Sequence, residues 1–242
     1  MKAIEVQALE RTFKKIRALK GIDFSVDSGE IFSFLGPNGA GKTTTIRILT
    51  GQLRPTAGSA RVVGYDVVSE RQALKPAIGV VFEHQNLYER LSATDNLNFA
   101  ARLYGVDRRR VVEVLEQVGL EDRAKERLKN YSNGMKQRLL IARALLHEPQ
   151  VIFMDEPTRG LDPHMSRSVR KIISDLAGQG TTIFLTTHYM EEADQLSDRV
   201  AFIDQGRIVA LAPPETLKAG LGDEGATLED AFIQMTGKDL YQ

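Results

Sequence analysis

The sequence has no cysteine among its 242 residues. This absence excludes disulfide frameworks, cysteine nucleophiles and metal sites built from thiolates. It is also compatible with a reducing compartment.

The sequence has no excess of either charge, since 32 lysine and arginine residues balance 32 aspartate and glutamate residues. A general nucleic-acid binder usually carries a basic excess. The balance therefore predicts no nucleic-acid partner, although it leaves room for a local basic patch.

Long hydrophobic runs are also missing. The longest uninterrupted apolar run is residues 77–82, whereas a membrane-spanning helix needs about 18 such residues. Residues 1–6 lack the apolar core of a secretory signal peptide. We therefore expect a protein that is made in the cytosol and stays there unless a partner holds it at a membrane.

The length predicts one to two domains, and what is present is an alternation of strand and helix patterns. A helix is predicted from about residue 42 to 53, and a mostly helical stretch spans about 86–149. This pattern favours an α/β core interrupted by a helical insert. The predicted strands are 4–8, 22–26, 31–35, 58–63, 77–82, 151–154 and 182–186, followed by a hairpin of 200–203 and 208–211.

Two helix starts can be recognised in the sequence. Asp107 is a plausible N-cap for a helix that turns Val111, Val114, Leu115 and Val118 inward. Asp162-Pro163 opens another helix, since proline suits the first helical position.

Residues 36–43 read Gly-Pro-Asn-Gly-Ala-Gly-Lys-Thr and match the phosphate-binding pattern G-x-x-x-x-G-K-[ST]. The segment follows a predicted strand and opens a predicted helix, so backbone N–H groups can converge on phosphate oxygens. Lys42 should reach the β- and γ-phosphates, and Thr43 should ligate Mg²⁺. Alone, the motif leaves kinases, GTPases and ATPases open. The residues expected to hold the nucleotide here are Gly36, Pro37, Asn38, Gly39, Ala40, Gly41, Lys42, Thr43 and Thr44.

Two acids end the predicted strand 151–154. Asp155 can hold Mg²⁺, usually through water, and Glu156 can orient or deprotonate the attacking water.

Residues 131–138 read Tyr-Ser-Asn-Gly-Met-Lys-Gln-Arg. This segment resembles the signature loop of ATP-binding cassette (ABC) transporter subunits, usually Leu-Ser-Gly-Gly-Gln. Ser132 and Gly134 match, whereas Asn133 and Met135 depart from the usual residues. The resemblance implies a loop that reaches across a head-to-tail dimer to the γ-phosphate bound by the partner.

Three further segments resemble the same family. Gly160-Leu161-Asp162 is similar to the loop that links the two sites across the dimer. His188 resembles the switch histidine that contacts the γ-phosphate, so the expected catalytic residues are Lys42, Glu156 and His188. Phe13 matches the aromatic residue that stacks on adenine, although an aromatic side chain there is also compatible with a core position.

The resemblance implies a P-loop NTPase core of the RecA-like type with an antiparallel β subdomain and a helical insert subdomain. The whole chain, 1–242, is expected to be one nucleotide-binding domain. Its core would comprise about 1–85 and 150–215, its helical insert about 86–149, and its C-terminal tail about 216–242.

The function that the resemblance implies is an ATPase that powers a separate integral membrane permease from the cytoplasmic face, through ATP-driven dimerisation of two cassettes. Residues 187–194 are similar to the branch that exports drugs, antibiotics, lipids or polysaccharides. The permease would dock beside residues 83–88, with Leu87, Tyr88 and Leu91 as contacts. Leu91 is equally compatible with the insert's own core.

One position departs from the family pattern. Where the family has a glutamine that ligates Mg²⁺, this chain has Glu83, and Gln85 follows two positions later. The place directly after the strand favours Glu83. A carboxylate binds Mg²⁺ at least as well as an amide oxygen, but at ~4 Å it would repel a phosphate charge by roughly 4 kcal/mol before the metal offsets it.

Two alternatives remain. A soluble ABC ATPase acting on DNA or ribosomes usually has long coiled coils or a basic face, which are not visible here. A degenerate cassette with a structural role in a heterodimer is suggested by Glu83, Asn133 and Met135, but the intact Glu156 and His188 argue against it.

Overall fold

The computed structural model describes residues 1–82, 86–222 and 225–237. The strands are β1 (Lys2–Phe13), β2 (Ile16–Asp27), β3 (Ile31–Leu35), β4 (Ala57–Val62), β5 (Tyr65–Asp66), β6 (Ile78–Val81), β7 (Val151–Asp155), β8 (Thr182–Thr187), β9 (Arg199–Asp204) and β10 (Arg207–Ala212). The helices are α1 (Lys42–Leu49), α2 (Arg71–Leu74), α3 (Ala93–Tyr104), α4 (Arg108–Gln117), α5 (Asn133–Leu145), α6 (Pro163–Gly178), α7 (Met190–Leu196), α8 (Pro214–Ala219) and α9 (Leu228–Thr236).

Within these ranges the strands form two sheets. The larger sheet has the order β10-β9-β3-β8-β7-β6, and the smaller one has the order β2-β1-β4-β5. Neighbouring strands from β6 to β9 pair in parallel, whereas the smaller sheet is antiparallel. The predicted α/β class with a parallel core and an antiparallel β subdomain is confirmed.

The strand order explains where the chemistry lies. Strands β3, β8 and β7 are consecutive neighbours in the larger sheet and run in the same direction. Their carboxyl ends therefore meet at one edge, which is where open α/β sheets place their ligands. The segments that leave these three strands carry the phosphate-binding loop, His188 and the acidic pair.

Aromatic side chains join the two sheets. The ring of Phe24 on β2 packs against Phe32, Phe34 and Phe184 of the larger sheet, with ring-centroid distances of 5.5, 5.4 and 5.9 Å. All four side chains are buried. This contact fixes the antiparallel sheet against the strands that carry the site.

The predicted N-cap at Asp107 and the predicted helix start at Asp162-Pro163 are both confirmed. The carboxylate of Asp107 accepts a hydrogen bond from the N–H of Arg109 at 2.7 Å, and that of Asp162 accepts one from Met165 at 2.9 Å. The four valine and leucine side chains predicted to face inward after Asp107 are all buried. They pack with α3, α5 and α6 in one hydrophobic cluster.

Several predicted boundaries were wrong. The strands expected at 4–8 and 22–26 extend over Lys2–Phe13 and Ile16–Asp27. The helix expected to run to about residue 53 ends at Leu49. Gly51 has φ +70°, and its N–H donates to the carbonyl of Ile48. A glycine in the left-handed region is a common way to end a helix.

Among the described residues, no helix is long and apolar enough to cross a membrane.

Candidate active site

The loop between β3 and α1 is shaped by glycines that no other residue could replace. A Cβ atom on Gly36 would lie 2.1 Å from the carbonyl oxygen of Ile203, which is a backbone atom of β9. Gly41 has φ +117°, and a Cβ atom there would lie 2.9 Å from the carbonyl oxygen of Ala18. Close backbone approach and a left-handed conformation both require glycine. The loop is therefore held tightly between β2 and β9.

The rest of the motif follows the loop into the first turn of α1. Ala40 is buried, Asn38 and Gly39 are exposed, and Thr44 is half-buried. The N–H groups at the start of a helix have no partner within it, and they attract anions. This part of the loop thus has the chemistry expected of a phosphate site.

Lys42 is a buried cation that faces back towards the loop. Its Nζ donates to the carbonyl oxygens of Gly36 at 2.6 Å and Pro37 at 3.2 Å. It also forms an ion pair with Glu156 Oε1 at 3.1 Å. Because its side chain is only 6% exposed, this charge is poorly screened and can bind an anion strongly.

Glu156 lies at the centre of the site. Its Oε2 is 2.6 Å from Nδ1 of His188, while its other oxygen contacts Lys42. Burial raises the pKa of Glu156, but the hydrogen bond with His188 and the charge of Lys42 outweigh it, so the pKa lies below its usual range. The carboxylate is thus ionised at neutral pH and able to accept a proton.

The backbone of Glu156 is in an uncommon conformation. Its φ is +53°, which is unfavourable for a residue with a side chain. The N–H donates to the carbonyl oxygen of Thr186 at 3.0 Å and to its hydroxyl oxygen at 3.2 Å. Such strain persists where surrounding contacts enforce it, and it is common at functional sites.

Asp155 and Thr43 form a second pair beside the lysine. The hydroxyl group of Thr43 donates to Asp155 Oδ1 at 3.2 Å, and the hydroxyl of Thr186 donates to the same oxygen at 2.7 Å. Oxygen ligands of this kind suit Mg²⁺. Among the described residues no group of three histidine, aspartate or glutamate side chains could hold a metal.

Ser132 and Gly134 lie at the start of α5. The hydroxyl of Ser132 caps this helix by accepting from the N–H of Met135 at 3.2 Å. A Cβ atom on Gly134 would lie 2.6 Å from Cγ and Sδ of Met165 on α6. A larger residue at this position would force the side chain of Met165 to move. Sequence reasoning missed this constraint because it depends on Met165.

Asp162 has a structural role within the single chain. Its carboxylate caps α6 by accepting a hydrogen bond from the N–H of Met165. The segment it ends, 156–162, leads directly from the site to this helix. The geometry therefore connects Glu156 to the surface that Ser132 and Gly134 share with α6.

Phe13 ends β1 and is 41% exposed, so it is not a core residue. The guanidinium of Arg11 lies 4.5 Å from its ring centroid and covers one face of the ring. Sequence reasoning missed Arg11, although residues two apart on a strand share a face. The hypothesis of a metal ligand at Glu83 or Gln85 concerns residues that lie outside the described ranges.

A parallel sheet with a phosphate-binding loop after β3 and an acidic pair after β7 defines a P-loop nucleoside triphosphatase. A family model described as ABC transporter matches residues 19–159, more than half of the chain. The chain belongs to this family, and it is an ATP-binding subunit that hydrolyses ATP.

Curated relatives span most of the chain. It is 44% identical over 225 residues to the daunorubicin/doxorubicin resistance ATP-binding protein DrrA of Streptomyces peucetius, covering 91% of this chain and 68% of that protein. It is 39% identical to the linearmycin resistance ATP-binding protein LnrL of Bacillus subtilis, covering 96% and 74%.

Solved structures agree with this assignment. The ATP-binding subunit of an ABC transporter superposes with a TM-score of 0.85 at 30% identity, covering 97% of this chain and 99% of that one. A dimeric ATP-binding cassette in a post-hydrolysis state, bound to ADP and Pi, gives a TM-score of 0.78 at 27% identity, covering 87% and 98%.

Proposed function

We propose that this chain is the ATPase subunit of an exporter, and that two cassettes close on ATP to power a separate membrane permease from the cytoplasmic face. The observation that carries the ATPase role is the convergence of Lys42 and His188 on the ionised Glu156. The names of the relatives, which are resistance proteins for daunorubicin, doxorubicin and linearmycin, support export.

The catalytic residues would exchange partners when ATP binds. Phosphate oxygens would compete with Glu156 for Lys42, since both are anions and the lysine is buried between them. Glu156, released from one of its two partners, would then orient or deprotonate the attacking water. His188 would hold the other carboxylate oxygen and contact the γ-phosphate. An intact set of this kind supports hydrolysis over a purely structural cassette.

Mg²⁺ would be held by Thr43 and Asp155, whose oxygen atoms lie 3.2 Å apart, with Glu83 as a further ligand. The ion supplies charge neutralisation for the phosphate oxygens. The hydroxyl group of Thr186 donates to the carboxylate of Asp155 and holds it in this orientation.

The signature segment would act on a nucleotide bound by the second cassette. Ser132 and Gly134 lie at the N-terminus of α5, which favours an anion. Asp162, at the start of α6, would couple the two sites. Phe13 would stack on adenine with the ring face that Arg11 leaves free.

The permease would dock on an exposed apolar groove beside the insert. The groove encloses about 730 Å³ and is lined by Phe82, Leu87, Tyr88, Phe99, Leu103 and Tyr104, among others. The Tyr88 and Phe99 rings meet edge to face at 5.5 Å. Asn96 fixes Tyr88 by accepting from its N–H at 2.9 Å and donating to its carbonyl at 3.1 Å. Aromatic side chains held rigidly in an open groove are typical anchors for a partner helix.

Tyr88→Ala is expected to weaken permease association without changing ATP affinity. Tyr88 is 55% exposed, so its removal costs the chain little of its own packing. Loss of an interface anchor typically costs about 2 kcal/mol or more, which is roughly a 30-fold weaker complex. The measurement is co-purification of the tagged permease with each variant. Val112→Ala, an equally exposed apolar change on α4, is the control and should bind as the unmodified chain does. Unfolding or lost ATP binding in Tyr88→Ala would remove the support for docking there.

Glu83→Gln is expected to raise the Mg²⁺ requirement for hydrolysis, because a neutral amide oxygen attracts the cation less than a carboxylate does. The check is a Mg²⁺ titration of the ATPase rate at two pH values, with Gln85→Ala run in parallel. Unchanged Mg²⁺ curves for Glu83→Gln beside a severe defect in Gln85→Ala would assign the ligand to Gln85 instead.

A further inference from the structure

Glu192 on α7 is a buried acid that the reaction scheme above does not use. Its relative exposure is only 2%. Both of its carboxyl oxygens are buried, and neither has a hydrogen-bond partner within the described part of the chain. A buried carboxyl group without complete hydrogen bonding is costly to the fold. A group kept at this cost warrants a functional explanation.

The surroundings of Glu192 connect two parts of the site. It lines a cavity of about 350 Å³ together with Thr158 and Leu161, which belong to the segment that follows Glu156. The hydroxyl groups of Thr158 and Thr187 both lie close enough to its carboxyl group to lower its pKa. Thr187 is the last residue of β8 and directly precedes His188.

The hydrogen-bonding capacity of Thr187 also favours a contact with Glu192. The hydroxyl oxygen of Thr187 already accepts from the N–H of Tyr189 at 3.0 Å. Its O–H therefore remains available as a donor, and the carboxyl group of Glu192 is a neighbouring acceptor. A protonated carboxyl group can accept one hydrogen bond and donate another, which matches two hydroxyl neighbours.

We propose that Glu192 is a positioning residue for ATP hydrolysis, whose buried carboxyl group joins the segment after Glu156 to the strand end that carries His188. Through Thr158 and Thr187 it fixes the distance between the base and the histidine that holds it. This inference rests on the roles proposed above for Glu156 and His188.

The electrostatic surroundings favour a neutral Glu192. Burial raises its pKa above the usual range and the charge of Glu156 adds to the rise, while the two threonine hydroxyls and Arg170 oppose it. Ionisation at higher pH would place a second negative charge near Glu156. The charged side chains that line the cavity with Glu192 are Arg167 and Arg170 from α6 and Glu191 from its own helix.

Two variants of nearly equal size test whether Glu192 acts through its hydrogen bonds or only by filling space. Glu192→Gln keeps hydrogen bonding but cannot ionise, whereas Glu192→Leu fills the space without hydrogen bonds. We expect kcat of the unmodified chain to fall as pH rises through the raised pKa of Glu192. Glu192→Gln should keep kcat within about twofold at neutral pH and should lose that fall. We expect Glu192→Leu to lower kcat by about tenfold or more through misplacement of the base, with ATP affinity within about twofold.

The measurements are ATPase rates of the full chain from about pH 5 to 9, ATP affinity, and thermal unfolding for each variant. If both variants keep the kcat and pH profile of the unmodified chain, the proposal is overturned. If Glu192→Leu does not fold, the pH profile of Glu192→Gln decides: an unchanged alkaline fall counts against the proposal, and its loss supports it. Glu156→Gln tests the base separately, since its effect does not depend on Glu192.

Discussion

Glu156→Gln is expected to slow ATP hydrolysis by about 100- to 10,000-fold, the range that a general base contributes. The amide keeps the shape of the side chain, so contacts with Lys42 and His188 can persist in part. It cannot accept a proton at neutral pH. It also removes a negative charge that competes with phosphate for the buried lysine. ATP should therefore bind at least as tightly as it does to the unmodified chain.

The same change should trap a dimer in saturating ATP and Mg²⁺, because the nucleotide that joins two cassettes is no longer cleaved. Size-exclusion chromatography with light scattering measures the mass, and ATP binding is confirmed on the same sample. Glu116→Gln, an exposed position on α4, is the matched control and should hydrolyse ATP normally. A Glu156→Gln chain that binds ATP but stays monomeric, with and without its permease, would count against a site shared between two cassettes.

The position of the site could be predicted because its residues leave neighbouring parallel strands. The phosphate loop, the acidic pair and His188 each follow a strand that the apolar patterns reveal. Parallel strands bring such ends to one edge of the sheet. The sequence order of β3, β7 and β8 does not give their spatial order, however, and the central place of β8 between β3 and β7 emerged only from the structure.

Contacts across the fold could not be predicted in the same way. Met165 on α6 packs against Gly134 on α5. Asn96 on α3 accepts a hydrogen bond from the backbone N–H of Tyr88, which lies in the segment before that helix. Nothing local marks either pair. By contrast, the early end of α1 had a readable signal, since Gly51 follows the last turn. Tertiary contacts were thus the main feature that the sequence could not predict. The helix-ending signal at Gly51 was local and was overlooked.

Glu192 illustrates the same limit. In the sequence it is one of two adjacent acids on a short helix. Its neighbour Glu191 is exposed and forms an ion pair with Arg170. A 3.6-residue period places adjacent residues on different faces, but it does not reveal which face meets the site. Burial against Thr158 and Thr187 distinguishes the two, and this information exists only in three dimensions.

The second large effect is expected from Gly36→Ala. The added methyl carbon would lie 2.1 Å from the carbonyl oxygen of Ile203. Because that oxygen is a backbone atom of β9, no side-chain rotation can relieve the clash. Either the strand or the phosphate loop must move. Overpacking of this kind costs about 3 kcal/mol, which lowers Tm by about 6–12 °C in a chain of this size.

ATP binding should suffer more than stability does. Moving the loop misaligns several N–H donors at once, and each hydrogen bond to a charged group contributes about 1.5–3 kcal/mol. The loss of two such bonds predicts a Kd for ATP higher by about 100-fold or more. Thermal unfolding by circular dichroism and calorimetric titration with ATP measure the two effects. Gly178→Ala is the matched control, since a Cβ atom there meets nothing within 4 Å. It should leave ATP affinity unchanged and should not lower Tm, because alanine is the better helix former at this position in α6. If Gly36→Ala instead keeps the Tm and ATP affinity of the unmodified chain, the contact between the loop and β9 is not what shapes the phosphate site.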